Sequence, residues 1–273
     1  LSIAASSMDT GVLSLTGTGI SQTGAITQSS GAGAVTLNAA SGNISLNSGN
    51  KFYGSIALNN TNNATLNNTV ATSLSGASIA GTLSLTSGGD VSQTGGISVG
   101  STASFTAGAH AIDLSNIGNV FGGDVSISNS GANDVSVSDS TALSLGTVSV
   151  GTGSLSLTSA GSVTQSGALT QSGAGAGITI TTTSAGSDVI LANAGNNMYD
   201  AITFGGSAGL YHDVSLRNIN SNAAMPTNLA DLSALNNLTL YFDNAGMSFP
   251  AVSVGGNLVA TAGGGSITQT GGL

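Results

Sequence analysis

Four near-copies of one stretch constrain this chain more than any single residue does. GTLSLTSGGDVSQTGGISV at residues 81–99 returns as GSLSLTSAGSVTQSGALT at 153–170. It is preceded by GVLSLTGTGISQTGAIT at 11–27, and it begins again as GNLVATAGGGSITQTGGL at 256–273. Gln22, Gln93 and Gln165 mark the period at 71 and 72 residues, and Gln269 follows after 104. An internal repeat of this kind predicts a fold made by stacking similar units. The expected modules are 11–80, 81–152, 153–255 and a partial fourth at 256–273.

Inside each module, short runs alternate apolar and polar residues. In the second module they are Leu83–Leu85, Ile97–Val99, Ala103–Phe105, Ile112–Leu114, Val125–Ile127, Val135–Val137, Leu143–Leu145 and Val148–Val150. Two side chains of each run point one way and the middle one points the other way, which is the signature of a half-buried strand. Clusters of Gly, Asn and Asp separate the runs as turns require. Strands this short suit a coil with three short faces per turn. The predicted fold is all-β, a right-handed parallel β-helix with about three rungs per module of roughly 71 residues, or about eleven to thirteen rungs in all.

Composition excludes several alternatives. The chain has 42 Gly and only 5% charged residues, and it contains no Glu, Cys or Trp. Ser, Thr, Asn and Gly stand where surface helices would carry Glu, Lys and Arg. The 40% hydrophobic content, set in tight alternation, argues against a flexible linker. Lys51 and Arg217 are the only Lys or Arg, and the net charge is −9. Two such cations cannot neutralise a phosphate backbone, so nucleic acid is not an expected partner. No apolar run approaches the ~20 residues of a membrane helix, so membrane insertion is not expected. The first residue is Leu1 and the last copy breaks off within its motif, so the chain is expected to be a piece of something longer, with any export signal outside it.

The unit GxLSLTxxGxVxQxG, together with NVFGGDVSISNSGANDVSVSDSTALSLG at 119–146, resembles the haemagglutination-activity, filamentous-haemagglutinin-like family. That resemblance implies a β-helical shaft of a large exported bacterial protein, at the cell surface or outside the cell. It implies adhesion, biofilm matrix or fibre formation, and no catalytic residues. Expected partners are like β-helical segments or copies of itself, with a host or matrix glycan or protein as a further class.

No catalytic, cofactor or metal site is expected. Asp134 and Asp139 flank one short run, five residues apart, and do not make a glycosidase pair. With Asn129 and Asn133 they offer oxygen ligands to calcium, which is the single cofactor considered, although no calcium-binding nonapeptide array accompanies them. His110 and His212 each stand without a second His or Cys at metal-ligand spacing. Residues 195–250 break the regularity and hold Pro226, Pro250 and Arg217, with an insertion expected near 219–238 and a short helical turn at 229–235. Tyr199, Tyr211, Tyr241 and Phe242 gather there. They give an alternative reading, a carbohydrate-binding or polysaccharide-cleaving β-helix that uses this segment. Asn50, Asn119 and Asn197 recur beside aligned residues and are expected to form a stacked turn ladder.

Overall fold

The computed structural model describes all 273 residues, Leu1–Leu273. The chain is an all-β parallel solenoid, with every recorded strand pair parallel and helix confined to two three-residue 3-10 turns. It divides into two units, residues 1–130 with 137–139, and residues 131–136 with 140–273.

In the first unit one face stacks seven strands: Ser2–Ile3, Ile20–Gln22, Ile44–Asn50, Ala64–Asn68, Leu83–Ser87, Ala103–Gly108 and Val125–Asn129. In the second unit the same kind of face stacks six: Leu143–Val150, Val163–Gln165, Ser187–Leu191, Tyr211–Asn218, Asn237–Phe242 and Leu258–Ala262. The molecule therefore has about thirteen turns, as the alternating runs predict. A second face includes Leu13–Thr16, Val35–Asn38, Ile56–Thr61 and Thr72–Ile79 in the first unit. In the second unit it includes Leu155–Ser159, Ile178–Thr182 and Ile202–Gly205. Short parallel pairs such as Ser6–Met8 with Ile26–Gln28 form a third side.

The register explains why so plain a sequence holds together. Leu13, Val35 and Ile56 are stacked partners, and so are Leu15, Leu37 and Leu58. Leu13 is 9% exposed and Val35, Leu37, Ile56 and Leu58 are fully buried. Each such side chain contributes about 1.5–3 kcal/mol by leaving water. Between the inward positions, Ser2, Ser21, Ser45, Thr65, Ser84, Ser104 and Ser126 follow one another on seven successive rungs.

The long repeat is out of step with the turns. Within the first unit, Leu13 lies on the second face with Val35 and Ile56, whereas its copy Leu83 lies on the first face with Ala64 and Ala103. Ile20 and Val91 exchange faces in the same way. A module thus covers three and a half turns, and consecutive copies of one motif occupy opposite faces.

The expected break over 195–250 is narrower than that, because strands Ile202–Gly205, Tyr211–Asn218 and Asn237–Phe242 continue the stack through it, and the connection 219–236 packs against them. Ala223, Leu229, Leu232 and Leu235 are 8%, 0%, 3% and 4% exposed. The expected helical turn is present as a single 3-10 turn, Leu229–Asp231, and a second one lies at Ala208–Leu210. Beside strand Ile202–Gly205, the Asn228 side chain donates to the Phe204 carbonyl (2.8 Å) and accepts the Phe204 N–H (3.0 Å), doing the work of a neighbouring backbone. All eight runs expected in the second module lie in strands, and Leu143–Leu145 and Val148–Val150 merge into Leu143–Val150. The strands Val91–Gln93 and Val120–Phe121 escape the sequence pattern because the first has one fully buried residue and the second has two residues in all.

Candidate functional site

Three kinds of polar assembly stand out, and the first is the repeated glutamine. Gln22 and Asn50 exchange hydrogen bonds: Gln22 Nε2 donates to Asn50 Oδ1 (3.0 Å) and Asn50 Nδ2 donates to Gln22 Oε1 (2.9 Å). Gln93 and Asn119 do the same at 2.8 and 2.9 Å, and Gln165 and Asn196 at 2.8 and 2.8 Å. Each Asn also accepts a backbone N–H, from Ile26, Ile97 or Leu169, and donates to a carbonyl, of Leu46, Leu114 or Leu191. All three Asn are 0% exposed, and both ends of each amide are satisfied.

This geometry corrects the expected Asn50–Asn119–Asn197 ladder in two ways. The third member is Asn196, and Asn197 accepts a hydrogen bond from Asn220 Nδ2 (2.7 Å). The right alignment follows the buried residue two positions on, Phe52, Phe121 or Met198. Within the first unit, Asn50 ends a strand of the first face and Asn119 stands just before Val120–Phe121 on the second, so these two do not stack on each other. Each of the three is instead locked to a Gln of its own module by the paired amide hydrogen bonds.

The second assembly is a ladder at the position just before a strand. A side-chain oxygen there accepts the backbone N–H of the corresponding residue one rung on. Asn43 takes Asn63 N–H (3.1 Å) and Asn63 takes Thr82 N–H (2.8 Å). In the second unit Ser162 takes Asp188, Asp188 takes Asp213, Asp213 takes Asn237, and Asn237 takes Asn257, at 2.9–3.0 Å. Asp134 does the same for Ser154, whose hydroxyl and N–H hold its carboxyl below the usual 3.8. Asp139, the other residue considered for calcium, is buried at 3% exposure. Asn129 is buried as well, and its amide donates to the His110 carbonyl (3.4 Å).

The third is a charged cluster that sequence spacing hides. Register along the first face runs from Ser187 opposite Tyr211 to Val189 opposite Val214, so one residue, Asp188, meets two, His212 and Asp213. This bulge re-aims a side chain. His212 Nδ1 lies 3.4 Å from Asp188 Oδ1 and 3.2 Å from Asp213 Oδ1, with all three side chains partly exposed. Asp213 is held below the usual 3.8 chiefly by the Asn237 side-chain amide, against the desolvation that opposes it, with Asn236 and His212 adding to the effect. His110 has a simpler relation to Asp90, 3.7 Å away. The partner carboxylate at Asp188 precedes His212 by one rung, and searching at one-rung spacing is the signal that finds it.

The aromatic group does not come together as one patch. Tyr211 is 0% exposed and its hydroxyl donates to the carbonyls of Ile180 (2.8 Å) or Gly205 (2.6 Å); burial pushes its ionisation upward. Phe242 is 2% exposed. Both alternate inward along their strands, so they belong to the core. Tyr199 is half-buried with its N–H on Gln171 Oε1 (2.9 Å). Tyr241 is 39% exposed and carries the Arg217 guanidinium 4.6 Å from its ring centre. Arg217 also binds Asp243 through two N–H groups (2.8 and 3.0 Å), which lowers the Asp243 carboxyl below 3.8.

No curated protein and no solved structure is similar enough to count as a match. A family of repeats does match, over residues 1–59, 61–128, 132–205 and 235–273, and the stretch 206–234, which includes the strand Tyr211–Asn218, falls between two of its blocks. On that coverage the chain belongs to the family described as repeats of unknown function, DUF5649.

Proposed function

We propose that this chain is a non-enzymatic structural segment of a secreted or surface-displayed adhesin or fibre-forming exoprotein of the filamentous-haemagglutinin kind. The observation that carries the reading is the uncharged hydroxyl column Ser2, Ser21, Ser45, Thr65, Ser84, Ser104 and Ser126 over an apolar interior. Such a surface is wetted along its length and creates little field to draw in a charged substrate. A groove in the first unit, lined by Ser41, Asn60, Asn62, Ser78 and Ser98, offers no titratable side chain for acid–base work. In this reading the partners are like β-helical segments or copies of the chain, which meet through unpaired strand backbone.

Electron microscopy of the purified chain over a concentration series, with an assay for reducing ends released from acidic polysaccharides, tests the reading. Rods or filaments without sugar release support it. Saturable release of reducing ends overturns it.

One observation favours a second reading, glycan binding. Tyr241 presents a partly exposed ring backed by Arg217, and an aromatic face of this kind stacks on sugars. A glycan array probed with the wild-type chain and Tyr241→Ala decides it. A ligand lost on the substitution supports glycan binding, and identical profiles reject it.

A further inference from the structure

We propose that Asp188, His212 and Asp213 form a binding site for a divalent transition-metal ion of the Zn²⁺ type. One oxygen or nitrogen from each residue lies within 4.8 Å of the others. The two separations of 3.4 and 3.2 Å from His212 Nδ1 match the edge of a tetrahedron around an ion. Metal–ligand bonds of about 2.0–2.1 Å give an edge of about 3.3 Å. A hydrogen-bonding account fits less well, because a single Nδ1–H serves one carboxylate at a time.

The choice of residues is a second, independent pointer. The position before the strand needs only an oxygen acceptor. Asn43, Asn63, Ser162 and Asn237 fill it without charge, and Asp90 and Asp134 fill it on another face with single carboxylates. Here alone in this column two carboxylates occupy successive rungs, in a chain whose Lys and Arg number two. Like charges set opposite each other on neighbouring strands destabilise a sheet. A cation between them turns that cost into binding energy. The bulge at Asp188 places an imidazole where it completes the set. Asp188 Oδ1 accepts only the ladder N–H of Asp213 and keeps a lone pair for an ion, whereas Asp213 Oδ1 also accepts the Asn236 and Asn237 side-chain amides, which an ion would displace while the ladder N–H of Asn237 stays. Imidazole with two carboxylates suits Zn²⁺ and its neighbours. Ca²⁺ wants six to eight oxygens and gains little from the ring.

The test is titration of the full, chelator-stripped chain with Zn²⁺ alone by calorimetry, with Co²⁺ as a spectroscopic probe of coordination. The expected result is one ion per chain. His212→Ala and Asp188→Asn should each weaken binding by at least about tenfold. Asp188→Asn keeps the ladder acceptor, as Asn does at 43, 63 and 237, so its circular dichroism melt should match wild type. His110→Ala, at the one-carboxylate counterpart beside Asp90, should leave binding unchanged. Absence of saturable Zn²⁺ binding, binding that survives both site substitutions, or equal loss in His110→Ala overturns the proposal. Displacement of Zn²⁺ by equimolar Ca²⁺ also overturns it.

Discussion

Asn119 makes four different contacts from a position with no access to water: the Gln93 amide in both directions, the Ile97 N–H and the Leu114 carbonyl. Removing it strands several buried groups at once, each costing about 1–3 kcal/mol. We expect Asn119→Ala to lower unfolding free energy by about 2–4 kcal/mol in a denaturant titration, and Gln93→Ala, at a half-buried position, to cost less. Tyr211 gives a contrast between volume and hydrogen bonding. Tyr211→Phe keeps the ring against Phe204, 4.8 Å between centroids, and loses only the hydroxyl, at about 1–2 kcal/mol. Tyr211→Ala empties the site and should cost about 3–5 kcal/mol by the same titration. The glutamine period is legible in the sequence. Its partner in the third module is not, because Asn196 and Asn197 are adjacent and only burial tells them apart.

Strands here owe their existence to neighbours, since runs of two to eight residues have little stability alone. The close approach of rungs sets a demand on turns. A Cβ built on Gly54 would run into the carbonyl of Gly33 one rung earlier, whereas one built on Gly11 meets nothing. Gly54→Ala should therefore lower the melting temperature clearly, and Gly11→Ala should leave it nearly unchanged. The ladder before each strand makes a second demand, for an acceptor. Asn63→Ala loses the bonds from Thr82 N–H and Oγ1 and the one its Nδ2 donates to Asn43 Oδ1, and should cost about 1 kcal/mol, while Asn63→Asp keeps the two Thr82 bonds and should cost less. Alternation of apolar and polar residues reveals strands such as Ile97–Val99 directly. It does not reveal Val120–Phe121, which is a strand only because Ser98 and Val99 lie beside it.

At the scale of the molecule, protonation couples to folding through a few carboxylates. Asp134, Asp213 and Asp243 are held below their ordinary 3.8, so the folded chain binds fewer protons than the unfolded one in that range. Stability from these groups is complete above about pH 4 and is lost as pH falls through their lowered values. Thermal melts should be flat from about pH 5 to 7 and should drop below about pH 4. The Asp243→Asn variant should show a shallower acid limb. Amide exchange should be fastest in strands with the least burial, such as Leu258–Ala262 and Ile267–Gln269, and slowest in Val35–Asn38 and Ile56–Thr61. The sequence by itself determined the class of fold, because a two-residue alternation of apolar and hydroxyl side chains at regular intervals can be buried only by stacking. It determined the count of turns to within a few, and the recurrence of Gln22, Gln93 and Gln165. Only the tertiary structure decided that the repeat spans three and a half turns, because the half-turn depends on which face each corner delivers the chain to. It alone decided that Tyr211 points inward and that Asp188 meets His212. Those contacts join residues one rung apart, and the length of each rung is set by how its loops pack.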